Sequence, residues 1–128
     1  SIIVGFACAT VCFYCVLIKN RARIDDALDT WGVHGMGGVT GALLTGAFSE
    51  VRINPFGHNG LFFGNPMQFV INAMGAGFGA AWSFGITYII WRIQDAIWPG
   101  GVRVTPKEEE IGLDLSQVGE KAYSQFAE

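Results

Sequence analysis

Apolar positions in this chain come in three long blocks, and charged positions are confined to the connections between them. No Asp, Glu, Lys or Arg occurs in residues 1–18 or 67–91. Between Thr30 and Ser49 the one ionisable side chain is His34. At the α-helical rise these blocks are roughly 27, 37 and 30 Å long, about the thickness of a hydrocarbon core. The pattern predicts three membrane-spanning helices at about 1–18, 26–48 and 67–98. Residues 49–66 read as a loop, and 99–128 as a soluble tail. The fold class is all-α, a polytopic membrane helix bundle.

Composition supports that reading. Of the 128 residues, 51% are hydrophobic and 15% charged, against about 25% charged in an ordinary soluble domain. A net charge of −3 argues against nucleic acid as a partner, because neutralising phosphates needs a basic face. The first residue is Ser1, and no basic region precedes the first apolar block. A signal peptide is therefore not expected, and the chain reads as a piece of something longer. Lys19, Arg21 and Arg23 follow the first block, while Arg52 is the single basic residue of the 49–66 loop. Arg92, Arg103, Lys107 and Lys121 follow the third block. By the positive-inside rule, the 19–24 connection and the C-terminus are cytoplasmic and the loop 49–66 faces outward.

The second block carries the unusual chemistry. Asp25 or Asp26 can cap its start, where orphaned N–H groups and the helix dipole favour a carboxylate. Asp29 lies one turn deeper. His34 falls near mid-membrane, where an ionisable group is costly and by default marks a functional site. Gly32, Gly35 and Gly37 strip side chains from around it. Gly38, Ala42 and Gly46 form a small-residue stripe suited to close helix approach, as do Gly75 and Gly79 in the third block. Cys8, Cys12 and Cys15 share one helix face. With no histidine or carboxylate beside them they read as small packing residues, not a metal site. His58 reads as an exposed loop residue. Trp91 and Trp98 suit a membrane interface. Thr105-Pro106-Lys107-Glu108 reads as a capping box that opens a short tail helix, which Gly112 ends; Asp114 or Ser116 can cap another turn.

Three motifs resemble the ammonium transporter family (Amt/Mep/Rh), over nearly the whole chain. Asp25-Asp26-Ala27-Leu28-Asp29-Thr30-Trp31-Gly32-Val33-His34-Gly35 is similar to that family's D-D-x-x-D-x-F-G-x-H-G segment. Phe63-Gly64-Asn65-Pro66 resembles the G-N-P that precedes its last helix. Gly112-Leu113-Asp114, with Gly119-Glu120 and Tyr123, resembles its tail pattern G-L-D-x-x-x-H-G-E-x-A-Y. Trp31 departs from the usual phenylalanine, and Val118 from the usual histidine.

The resemblance implies the C-terminal third of an eleven-helix, inverted-repeat transporter, here the last three helices and the cytoplasmic tail, in the plasma or inner membrane. It implies a homotrimer with one pore per subunit and ammonium or ammonia as substrate. His34 would be the second of two pore histidines that relay protons. Thr30 would line the pore and Asp29 would stand at the inner vestibule. The tail residues Gly112, Leu113, Asp114, Gly119, Glu120 and Tyr123 would couple subunits, and a cytoplasmic regulatory protein could dock there. Ser116 aligns where plant members carry a regulatory threonine. No cofactor, metal or enzymatic activity is implied. Two other readings stay open: a non-conducting ammonium sensor or scaffold that signals through the tail, and a packed helix–helix hydrogen bond at His34. An axial haem role lacks a second intramembrane histidine.

Overall fold

The computed structural model describes residues 1–121, and among these all regular structure is helical. The chain divides into two compact units, Ser1–Trp82 and Ser83–Glu128. Helix α1 spans Ile2–Arg21, α2 Met36–Phe48, α3 Pro66–Ile97 and α4 Pro106–Ile111. Two of them, α1 and α3, are long and apolar enough to cross a membrane.

Helix α1 runs past the apolar block into its basic end, since Lys19 and Arg21 suit the negative end of the helix dipole. The chain then turns through residues 22–29. Arg23 and Asp29 take left-handed backbone angles, φ 53° and 54°, which cost a non-glycine residue about 1 kcal/mol.

The second helix departs from the expected start at 26. It begins at Trp31, because the left-handed Asp29 interrupts any helix through 26–30. Its first five residues, Trp31–Gly35, form a π turn that runs straight into the thirteen-residue α2. Here the Met36 N–H reaches back five residues to the Trp31 carbonyl. Such single-turn π segments are rare and concentrate at functional sites.

Glycines set the packing of the first unit. A Cβ at Gly32 would stand 2.9 Å from Val16 Cγ2 and 3.2 Å from Val16 N, so α1 presses against the π turn there. At Gly46 a Cβ would lie 2.9 Å from Asn72 Cβ and 3.1 Å from Phe69 Cα, where α3 crosses α2. Asn72 Nδ2 donates to the Ala42 carbonyl at 2.9 Å and its Oδ1 accepts from Gln68 Nε2 at 2.8 Å. The connection from α2 to α3 holds a short 3-10 turn, Leu61–Phe63, whose Phe62 ring lies 4.9 Å from that of Phe48.

The cysteines behave as packing residues. Cys8 Sγ lies 4.0 Å from the Gly37 carbonyl and Cys12 Sγ 3.5 Å from that of Val33, both across the α1–α2 seam. Cys15 and Ala47 are the buried apolar side chains among the described residues. Large apolar side chains such as Phe6, Phe78 and Phe84 are more than 70% exposed. Exposed apolar surface on that scale calls for lipid or further protein as its cover.

In the second unit, Asp95 Oδ1 accepts the Val102 N–H at 3.2 Å and ties the turn after α3. Thr105 and Glu108 form the reciprocal capping box of α4. A second π turn follows at Asp114–Val118 and ends at Gly119, φ 81°.

Candidate functional site

The ionisable residues of the second block gather around the approach to the π turn. Asp26 stands ahead of the helix, in the connecting loop. Its Oδ1 accepts the Thr30 N–H at 3.0 Å and its Oδ2 the Trp31 N–H at 2.8 Å. The capping carboxylate is thus that of Asp26; Asp25, the alternative, precedes it in the exposed loop. The Trp31 N–H bond, then that of Thr30 and the nearby Lys19 ammonium, hold the Asp26 carboxyl below its ordinary value of 3.8. Thr30 itself is exposed and serves as N-cap residue of the π turn.

Asp29 pairs with Lys19, which also donates to the Asp26 carbonyl. Lys19 is only 5% exposed, and it is the buried charged residue among those described. The Asp29 carbonyl accepts the Val33 N–H at 2.9 Å, so the backbone bond that leads into His34 starts from the residue Lys19 holds.

His34 sits in the π turn with its side chain exposed, and it has no hydrogen-bond partner among the described residues. The chain's own helices therefore do not enclose the imidazole. The expected channel wall, if it forms, needs protein beyond these three helices. Of the glycines near it, a Cβ at Gly38 would meet nothing within 4 Å and one at Gly35 only Trp31 Cδ1 at 3.8 Å, while one at Gly37 would meet Cys12 Sγ at 3.0 Å. Chemically, an unpartnered imidazole in an apolar setting can take up a proton on one nitrogen and release one from the other.

The tail residues occupy a separate cluster. Gly112 takes φ 100° and Gly119 φ 81°, values that suit glycine. The Glu120 N–H bonds the Asp114 carbonyl at 3.1 Å, and Leu113 is exposed. Ser116 Oγ donates toward the Gly112 and Glu108 carbonyls, at 2.9 and 3.2 Å. Tyr123 lies outside the described residues. The Thr105 hydroxyl, then its N–H, and the Gln117 amide hold the Glu108 carboxyl below its usual range. A cavity of about 580 Å³ opens here, lined by Gln94, Trp98, Arg103, Thr105, Glu108 and Gln117 among others. Among the described residues no three His, Cys, Asp or Glu side chains stand together as metal ligands.

Two features escaped the sequence pattern. Lys19 looks like an ordinary loop-facing cation after an apolar helix, and only its burial singles it out. Its sole signal is position, a lone ammonium on the last turn before three closely spaced acids. The π turn is likewise silent, although glycines on both sides of His34 permit it.

Comparison with known proteins gives the chain its relatives. The profile of the Ammonium Transporter Family matches residues 1–123. Ammonium transporter 1 of Dictyostelium discoideum is 40% identical over 124 residues, which cover 96% of this chain and 26% of that protein. The ammonium transporter of Aquifex aeolicus is 41% identical over 126 residues, covering 97% and 28%. Ammonium transporter Amt1 of Archaeoglobus fulgidus is 36% identical over 124 residues, covering 97% and 31%. The chain spans less than a third of the length of these relatives.

Proposed function

The chain belongs to the ammonium transporter family, and from that premise we propose that it supplies the last three membrane helices and cytoplasmic tail of an ammonium/ammonia transporter. The observation that carries the proposal is the placement of His34. One imidazole stands in a π turn, ringed by glycine, within a stretch that has no other ionisable group.

The mechanism follows from desolvation. An ammonium ion entering a narrow apolar lumen loses its hydration at far greater cost than neutral ammonia does. Deprotonation on the outer side and passage of ammonia avoid that cost. The proton then needs its own route. His34, paired with a second histidine supplied by the rest of the protein, relays it. Thr30 and Asp29 stand toward the inner vestibule, with Asp26 capping the helix ahead of them. In the complete eleven-helix inverted repeat, further helices close the pore around His34, and the assembled form is a homotrimer. The basic residues at both cytoplasmic ends orient the chain with its tail inside. There Gly112, Leu113, Asp114, Gly119, Glu120 and Tyr123 meet a neighbouring subunit or a regulatory protein.

The test is His34→Ala in the intact protein, reconstituted into proteoliposomes. Loss of a proton-transfer group lowers turnover by about 100-fold or more, so ammonium-evoked current should collapse while the protein still assembles. Unchanged current refutes the relay. A sensor that binds without conducting is the second reading, favoured by the ordered capping box and π turn of the tail. It predicts saturable ammonium binding by the wild type with no current at all.

A further inference from the structure

The buried ammonium of Lys19 has no part in the relay, yet it lies where the chain commits to the turn that carries His34. We propose that Lys19 is a positioning residue for His34: it holds Asp29 in a left-handed backbone and thereby fixes the π turn that presents the imidazole. The functional half of this inference rests on the transport reading above; the structural half does not.

Four observations support it. First, Lys19 is sequestered at 5% exposure although it lies in the last turn of a helix beside an open loop, where a lysine ordinarily extends into water. Second, its two partners straddle the turn. The Asp26 carbonyl accepts both the Lys19 ammonium and the Asp29 N–H, while Asp29 Oδ1 takes the ion pair. One cation therefore staples both ends of Asp26–Asp29. Third, Asp29 takes φ 54°, a left-handed conformation that carries a cost for a non-glycine residue, modest for aspartate, and is favoured by contacts that hold it. Fourth, what Asp29 does next bears directly on His34. Its carbonyl receives the Val33 N–H, and Asp26 receives those of Thr30 and Trp31. Release of Asp29 frees the bond that precedes the imidazole, and a turn restarted from a different residue rotates the ring about the helix axis.

Helix α1 thus acts as the reference against which the turn is set. It touches the turn at Val16 against Gly32 and at Cys12 against the Val33 carbonyl, and Lys19 adds the polar lock one turn further on. The Val16 packing contact and the Cys12 thiol bond fix how closely the turn approaches. Of the contacts α1 makes, the lysine's is the one that bears on where the turn starts, beside the Asp26 carboxylate on the Thr30 and Trp31 N–H groups.

The experiment uses the intact membrane protein in proteoliposomes, with Lys19→Met, Asp29→Asn and the double variant. Methionine keeps most of the stem and drops the charge. Asparagine tolerates the left-handed region and drops the pair. Amide exchange is read at 31–35 and, as an internal control, at 42–48, beside the maximal ammonium rate and its half-saturating concentration. Each single variant should speed exchange at 31–35 by about tenfold and leave 42–48 unchanged. The maximal rate should fall several-fold with the half-saturating concentration unmoved, and the double variant should be no worse than Lys19→Met. The proposal is overturned if exchange at 31–35 does not change, or rises equally at both ends. It is also overturned if the single effects add in the double variant, or if local exchange rises with the maximal rate intact. A wild type that carries no ammonium refutes the transport reading, and the exchange arm then decides the anchor by itself.

Discussion

The two ends of the second helix are held by different kinds of force. Its C-terminal end is wedged. Gly46 meets Asn72 and Phe69 with no room for a methyl group, and a Cβ on Gly60 would fall 2.6 Å from the Gly46 carbonyl and 2.7 Å from that of Ala47. Asn72 adds a hydrogen bond to the Ala42 carbonyl and Phe62 packs on Phe48. The N-terminal end is tethered instead. Charged groups hold its start: the Asp26 carboxylate on two N–H groups and the Lys19–Asp29 pair, beside the close approaches of Gly32 to Val16 and Gly37 to Cys12 of α1. Close packing has a single solution and resists deformation. A polar tether can be loosened, reset or titrated. The imidazole lies on the tethered end, so a helix anchored firmly at one end carries its reactive group at the adjustable one.

The steric half of that contrast makes the largest prediction. Gly60→Ala drives a methyl group into two backbone carbonyls, which cannot yield as a side chain can. Overpacking of that kind costs about 3 kcal/mol, and it should appear as a lowered unfolding midpoint of the purified protein in detergent. Gly32→Ala meets Val16 Cγ2 at 2.9 Å and backbone no closer than Val16 N at 3.2 Å, against 2.6 Å at Gly60, so its cost should be smaller, about 1–2 kcal/mol. Equal losses from the two variants would erase the distinction between the ends. Asn72→Leu keeps the branched outline of the side chain and removes the bond to Ala42. Interhelical hydrogen bonds in membranes average about 0.6 kcal/mol, so this variant should cost least and leave amide exchange at 31–35 untouched.

The sequence made the wedged end easier to read than the tethered one, for a physical reason. Gly46 belongs to the small-residue stripe Gly38–Ala42–Gly46, and close approach of a helix there follows from the absence of side chains. The capping box of the tail was legible in the same way, since Thr105, Pro106 and Glu108 act on their immediate neighbours. Local chemistry leaves a local signature. The Lys19–Asp29 pair joins residues ten positions apart across a turn whose shape depends on two left-handed residues, Arg23 and Asp29, and neither is glycine. No periodicity announces such a turn, so the expected helix ran on to 26 where the chain in fact bends. Its place in an uncharged block marked His34, and the family motif marked His34, Asp29 and Thr30 by resemblance, without the π turn that spaces them. His34 also shows the limit of reading enclosure from hydropathy. Its uncharged surroundings suggested burial, while these three helices leave the ring uncovered.

The smallest effect expected is also the one that separates the ends most cleanly, because only the tethered end titrates. Asp26 has its carboxyl lowered below 3.8, chiefly by the Trp31 N–H, then by that of Thr30 and by Lys19. A carboxyl lowered on folding adds stability that is present above its unfolded value and disappears as pH falls through the folded one. The cap should therefore hold from neutral pH down to the ordinary aspartate value and fail only at more acid pH. Amide exchange at Thr30 and Trp31, corrected for its intrinsic pH dependence, should then rise, while that at Ser49 and Gly60, whose bonds are backbone to backbone, should not. Asp26→Asn keeps an acceptor oxygen but nothing that ionises there, so it should flatten the acid-side rise at Thr30 and Trp31. A rise that persists in that variant shows that ionisation of Asp26 is not what holds the two N–H groups, and removes the capping carboxylate from the restraints on the turn.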